Sequence, residues 1–258
     1  MLQGVAKETR EWDVQDFKGV TLMDARKTLL TLIVGGSLAM AGTAANAKPV
    51  GLGIVIDGSG SISSTEFSTQ QNAYANVLGS NLIGTDGDVA VGVWQFSSSV
   101  QQVSPFQAID STSDQNDLVS DVQNMTQISG GTDIGNAIDT ASQSIQSFGL
   151  GNLDKSVIDV STDGIGNGNE DAAAQDAVND GIDQVNCLGI EASADCGFIA
   201  GSDSFSKTAT SFADVEDALE DKIARETGSV PAPAPLALLG AGLLGVGAAR
   251  RLKADNAS

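Results

Sequence analysis

Apolar positions follow two alternating periods along residues 50–225. Short, almost wholly apolar runs occur at 51–56 (GLGIVI), 88–96 (DVAVGVWQF), 156–161 (SVIDVS) and 184–188 (QVNCL), the pattern of buried strands. Between them lie stretches with apolar residues three or four apart. In 65–82, Phe67, Ala73, Tyr74, Val77 and Leu78 share one helix face; in 134–145, Ile134, Ala137, Ile138, Ala141 and Ile145 do the same. Further helices are expected at 111–122, opened by an N-cap serine, at 170–180 and at 212–225. Residues 100–106 read as a short antiparallel strand whose Pro105 suits a sheet edge. Strands alternating with helices predict an α/β fold, Rossmann-like and doubly wound. Its central sheet is mostly parallel, with one short antiparallel edge strand and helices on both faces. Ligands of such sheets bind beyond the carboxyl ends of the strands.

The ends of the chain follow other patterns. Residues 1–22 are mixed and charged, without an apolar period. A short basic lead, MDARK at 23–27, then precedes an apolar stretch at 28–40 and the small-x-small triplet Ala45-Asn46-Ala47. This is the layout of a secretory signal peptide over 23–47, cleaved after Ala47; translation then begins at Met23 and 1–22 is a start-site artefact. Residues 48–229 form the single expected domain. VPAPAP at 230–235 is an extended, proline-rich linker. An uncharged Gly/Ala/Leu run at 236–249 follows, closed by Arg250, Arg251 and Lys253. As a helix that run spans about 21 Å, against roughly 30 Å of hydrocarbon, and 236–258 is read as a membrane-engaging segment.

Charge narrows the function classes. The chain carries 13 Lys plus Arg against 33 Asp plus Glu. Within 48–229 the count is 5 basic and 27 acidic, a net charge of 5 − 27 = −22. Nucleic acid is excluded as a partner, because phosphate binding needs basic side chains, whereas an acidic surface attracts cations. No histidine is present, which removes Ser-His-Asp and Cys-His triads, His-ligated zinc and the commonest general base. Cys187 and Cys196 lie nine apart; in an exported protein such a pair is most simply a disulfide.

The stretch VIDGSGS at 55–61 carries the candidate chemistry. Asp57, Ser59 and Ser61 place one carboxylate and two hydroxyls at the end of an apolar run, separated by glycines. Oxygen-only donors suit a hard divalent cation. Taken alone, the stretch serves equally well as a Gly/Ser-rich turn with Ser63 or Ser64 capping the next helix.

Two later loops extend the pattern. Asp57-Gly-Ser59-Gly-Ser61, then Gly131-Thr132, then Thr162-Asp163-Gly164 resembles the metal-ion-dependent adhesion site of von Willebrand factor type A domains. The resemblance runs from about residue 50 to 225 and includes the strand–helix order. Glu66-Phe67, Gly131-Thr132-Asp133-Ile134-Gly135 and Asp159-Val160-Ser161-Thr162-Asp163-Gly164 look like a bacterial exported subgroup. The resemblance implies that Asp57, Ser59, Ser61, Thr132 and Asp163 surround one Mg²⁺, with Mn²⁺ or Ca²⁺ as alternatives. A ligand carboxylate or water would complete the shell. Asp133 is expected to favour the N-terminus of its helix, with contact behind the metal ligands as a second role. Asp159, inside a strand, is expected either behind those ligands or bonded to backbone.

Rival patterns fit the same residues less well. Asp159-x-Ser161-x-Asp163-Gly164 with Glu170 has the spacing of an EF-hand loop, but a strand precedes it where an EF-hand needs a helix. Neither Ser59 nor Ser61 has the G-x-S-x-G frame of a nucleophile elbow, and no phosphate-loop lysine motif occurs. The expectation is a binding protein and not an enzyme. It would engage a protein or acidic glycan through the metal, at the periplasmic or outer surface, or in the extracellular matrix, of a Gram-negative bacterium. A structural component whose metal only stabilises the fold is the alternative, and a metal-dependent hydrolase the third reading. The tail resembles PEP-CTERM sorting signals, which implies handling by an exosortase-type enzyme, although Ala232 stands where many such tails have glutamate.

Overall fold

The computed structural model describes residues 48–228. The expected signal peptide 23–47 with its Ala47 site, segment 1–22, linker 230–235 and tail 236–258 with its sorting signal lie outside the described residues. The chain runs β1 (Val50–Asp57), α1 (Ser64–Leu78), β2 (Val89–Phe96), β3 (Val100–Ala108), α2 (Thr112–Asn124), α3 (Ile134–Phe148), β4 (Lys155–Thr162), α4 (Glu170–Asn179), β5 (Gln184–Ile190), β6 (Ala200–Gly201), β7 (Ser206–Ala209) and α5 (Val215–Thr227).

The sheet order is β3-β2-β1-β4-β5-β6, with β7 also paired to β5. Pairs β1–β2, β1–β4, β4–β5 and β5–β7 are parallel, and β3 runs antiparallel at one edge as expected. The sequence reading left two strands unassigned at the other edge. Antiparallel β6 pairs with Gln184 and Val185, and β7 pairs with Cys187 to Ile190. They hold two and four residues, too few for a period to register.

Strands β1, β4 and β5 are buried almost throughout because both faces are covered. Leu52, Ile54, Ile56, Val157 and Leu188 pack under α1, α2 and α5; Val55, Ile158, Val160 and Val185 pack under α3 and α4. Helix starts are set by local chemistry. Ser63 Oγ accepts from Glu66 N, and the Glu66 carboxylate accepts from Ser63 N at 2.9 Å, a capping box. Ser111 caps α2, and Asp133 caps α3 by accepting from Asn136 N.

A polar island interrupts the layer beneath α5. Lys222 is fully buried, and its ammonium donates to Asp159 on β4 and to Glu226 one turn along α5. Asn186 Nδ2 on β5 donates to Glu226 Oε1 at 2.9 Å. Tyr74 Oη, Asp159 Oδ2 and Glu226 Oε2 are buried there without a hydrogen-bond partner. Burial, reinforced by the Asp159 charge, pushes the Glu226 carboxyl up to about 7, against the opposing effect of Lys222.

Candidate metal centre

Strands β1, β2, β4 and β5 are parallel, so the segments following them emerge at one edge. The order reverses about β1, which leads to β2 on one side and lies against β4 on the other. Such a switch point opens a crevice at the carboxyl ends, and Asp57, the last residue of β1, sits at it. Its carboxylate is fully buried. Oδ1 accepts from Ser59 N at 2.8 Å and Oδ2 accepts from Thr162 Oγ1 at 2.7 Å. Ser59 Oγ and Ser61 Oγ are 3.0 Å apart, and Ser61 Oγ donates to Asp163 Oδ1 at 2.8 Å. Four of the five expected ligands therefore form one hydrogen-bonded chain across two loops.

Thr132 makes none of these hydrogen bonds, but its loop is fastened to the same place. Gly60 N donates to Gly130 O, and Ser129 N donates to Gly58 O, both at 2.9 Å. Gly131 N donates to Ser98 Oγ at 2.6 Å, and Asp133 N donates to Ser97 O at 2.9 Å. Thr132 is thus held between two anchored residues at the border of the Asp57 loop.

Asp133 plays its expected part at the helix start, its Oδ1 also accepting from Asn169 Nδ2 at 3.3 Å. Asp159 departs from expectation. It bonds neither the ligand chain nor backbone; its side chain enters the α5 layer and is paired with Lys222. The alternation of side chains along β4 explains this, since it also sends Ser161 into that layer, where Ser161 Oγ donates to Gln70 Oε1 at 3.4 Å. The same placement dismantles the EF-hand reading, because two of its positions lie in a core strand.

Three glutamines missed by the sequence reading secure the loops. Gln70 Nε2 donates to Asp57 O at 2.8 Å. Gln95 bridges to the approach of the Thr132 loop, donating to Thr126 O at 3.1 Å and accepting from Ile128 N at 2.7 Å. Gln127 Nε2 donates to Ser59 O and Ile62 O at 3.1 and 2.8 Å. A lone glutamine in the apolar run 89–96 was the available signal for Gln95. Gly58 is required beside it, because a Cβ there would lie 2.3 Å from Gln95 Oε1. The expected disulfide joins Cys187 to Cys196.

The donor set fits a small hard cation. Adjacent oxygens of an octahedral Mg²⁺ shell, with bonds of 2.0–2.1 Å, stand about 2.9 Å apart; the Ser59–Ser61 and Ser61–Asp163 spacings of 3.0 and 2.8 Å match that edge. Burial pushes the Asp57 carboxyl up to about 6, against the hydrogen bonds from Ser59 and Thr162, and the Asp163 charge adds to the rise. Among the described residues no group of three or more His, Cys, Asp or Glu gathers at one point, so hydroxyls must supply part of any shell.

This sheet order and its helices are the fold of a von Willebrand factor type A domain. Solved structures with this fold include proximal thread matrix protein 1 from the mussel byssus (TM-score 0.58, 19% identity, 69% of this chain and 47% of that one). A second structure of that protein has a zinc-occupied MIDAS motif. The pilus adhesin SpaC from Lactobacillus rhamnosus GG is similar (TM-score 0.57, 19% identity, 70% and 30%), as is BatB from Bacteroides thetaiotaomicron (TM-score 0.52, 18% identity, 70% and 100%). The chain therefore spans about half the length of the mussel protein and under a third of the adhesin. No curated protein matches in sequence. Residues 48–231 match the family described as "Protein of unknown function (DUF1194)", and the chain belongs to that family.

Proposed function

We propose that this is an exported, surface-associated binding protein. It holds Mg²⁺, or Mn²⁺ or Ca²⁺ in its place, with Asp57, Ser59, Ser61, Thr132 and Asp163, and engages an acidic group of a protein or glycan. The observation that carries this reading is the hydrogen-bonded chain from Asp57 to Asp163, which gathers two carboxylates and two hydroxyls at the carboxyl edge of the sheet. With five oxygen donors, the site leaves the sixth position of an octahedral shell open to a further anionic oxygen. Ile165, two residues past Asp163, is 68% exposed, the one large apolar side chain so exposed among the described residues; it offers an apolar contact beside the ion. The mussel matrix protein and the pilus adhesin support the reading by analogy of fold.

Delivery through the leader at 23–47 and retention at the membrane through 236–258, with exosortase-type processing, belong to the same proposal. No described helix is long and apolar enough to cross a membrane. The test is calorimetric titration of Mg²⁺ into the purified protein and its Asp57→Ala variant, with melting curves alongside. Heat and a rise in Tm are expected for the parent only, and indistinguishable behaviour of the two would sink the proposal. If metal raises Tm but the immobilised protein retains no envelope component in a manner reversed by chelator, the structural-component reading replaces it.

A further inference from the structure

The segment 191–199 after β5 carries no candidate ligand, yet it is covalently fastened to the sheet. Its Cys196 is bonded to Cys187, a fully buried residue of β5. Phe198 is buried beside them in the layer under α3 and α4. Two hydrogen bonds from this closed loop end on one turn. Ser193 Oγ donates to Asp163 O at 2.7 Å, and Asp195 N donates to Gly164 O at 2.9 Å.

Asp163 needs such support. It follows the last residue of β4, and the segment beyond it, 164–169, is mostly exposed, tied at its far end by Gly168 N donating to the Glu170 carboxylate at 2.8 Å. On its other side the turn is held by Gly164 N donating to Thr162 Oγ1 at 3.2 Å. The carboxylate bonded by Ser61 is therefore aimed by a turn clamped from two directions, and one clamp is covalently closed.

The geometry points to the Cys187–Cys196 loop as the positioning element for Asp163, with Ser193 as its contact, so that divalent-cation affinity depends on the disulfide. This rests on the metal-site reading above. Reduction by a dithiol breaks the S–S bond: the protein takes up two electrons and two protons to leave two thiols, and the reagent becomes its own disulfide. The loop is then tied to β5 only by packing, and its two hydrogen bonds no longer fix the Asp163 turn. Ser193 does not itself bind metal in this scheme; it acts through the backbone of Asp163.

Mn²⁺ serves as the probe, titrated into the full chain and followed by the paramagnetic signal of the free ion. Four samples are compared: oxidised protein, protein reduced and alkylated, Ser193→Ala, and Ser193→Thr. Losing one or both clamping hydrogen bonds is expected to weaken Mn²⁺ binding on the order of tenfold in the reduced protein and in Ser193→Ala. Ser193→Thr, which keeps the hydroxyl, is expected to restore it. Melting without metal separates positioning from general support: Ser193→Ala is to lose affinity with its metal-free Tm within about 2 °C of the parent. Unchanged affinity in Ser193→Ala overturns the inference, whether or not the reduced protein stays folded, and leaves the metal site standing. Absence of Mn²⁺ binding by the oxidised protein overturns the metal-site reading itself, and this inference with it.

Discussion

Replacing Lys222 by methionine keeps an unbranched stem of similar bulk and removes the one cation of the island beneath α5. Lys222, Asp159 and Glu226 are all buried, and the ammonium bonds both carboxylates. The three formal charges sum to −1; without the lysine they sum to −2 with no compensating cation. Removing one partner of a buried ion pair costs about 3–5 kcal/mol, a large share of the roughly 5–15 kcal/mol by which a domain is folded. The loss depends on pH with a definite sign. The folded Glu226 carboxyl is raised to about 7, above its ordinary 4.5, by burial first and the Asp159 charge second. Its protonated form therefore favours the native state. That contribution is fully present below about 4.5 and is lost as pH rises through about 7, on the order of 3 kcal/mol. Protonation of Glu226 removes one of the two uncompensated charges, so the methionine variant is penalised most at pH 8 and less at pH 5. Urea unfolding followed by circular dichroism at the two pH values reads this directly. A triple variant adding Asp159→Leu and Glu226→Met recovers most of the loss if charge, not shape, is responsible. A Lys222→Met cost under about 1 kcal/mol at pH 8, or an equal cost at both pH values, would refute the reasoning.

Three further outcomes are expected. Glu226→Gln removes the titrating group, so its urea-derived stability changes less between pH 5 and 7 than that of the parent; an unchanged slope assigns the pH dependence elsewhere. Gly58→Ala forces a Cβ onto the buried Gln95, whose amide is held at both ends. A loss of about 2–3 kcal/mol is expected from overpacking and strained hydrogen bonds, together with weaker Mg²⁺ binding by calorimetry, and a variant as stable as the parent contradicts it. Ser63→Ala deletes the N-cap of α1 and costs about 1 kcal/mol in thermal unfolding with Mg²⁺ absent, while Ser63→Thr costs less.

What was legible in the sequence was local. Apolar runs marked β1, β2, β4 and β5; serines marked the starts of α1 and α2; the Asp57 stretch with the Thr132 and Asp163 loops marked the site. The rest depended on partners far along the chain. Asp159, expected behind the ligands or bonded to backbone, is paired instead with Lys222, 63 residues away on α5. Gln70, Gln95 and Gln127 read as ordinary polar residues, because their hydrogen bonds go to backbone carbonyls and amides that no side-chain pattern announces. Strands β6 and β7 owe their existence to the free edge of β5 more than to their own composition.

The two margins of the sheet carry a consequence for life at high density. At one margin β3 is broken by register shifts opposite Val91–Trp94 and carries Pro105, which has no amide hydrogen to donate. At the other, β5 is covered along its length by two short strands in succession. Neither margin presents the long, flat row of free amides and carbonyls on which a neighbouring chain could add a strand. Copies of this domain brought close together therefore find no ready strand to extend, and the net charge of 5 − 27 = −22 over 48–229 opposes their contact.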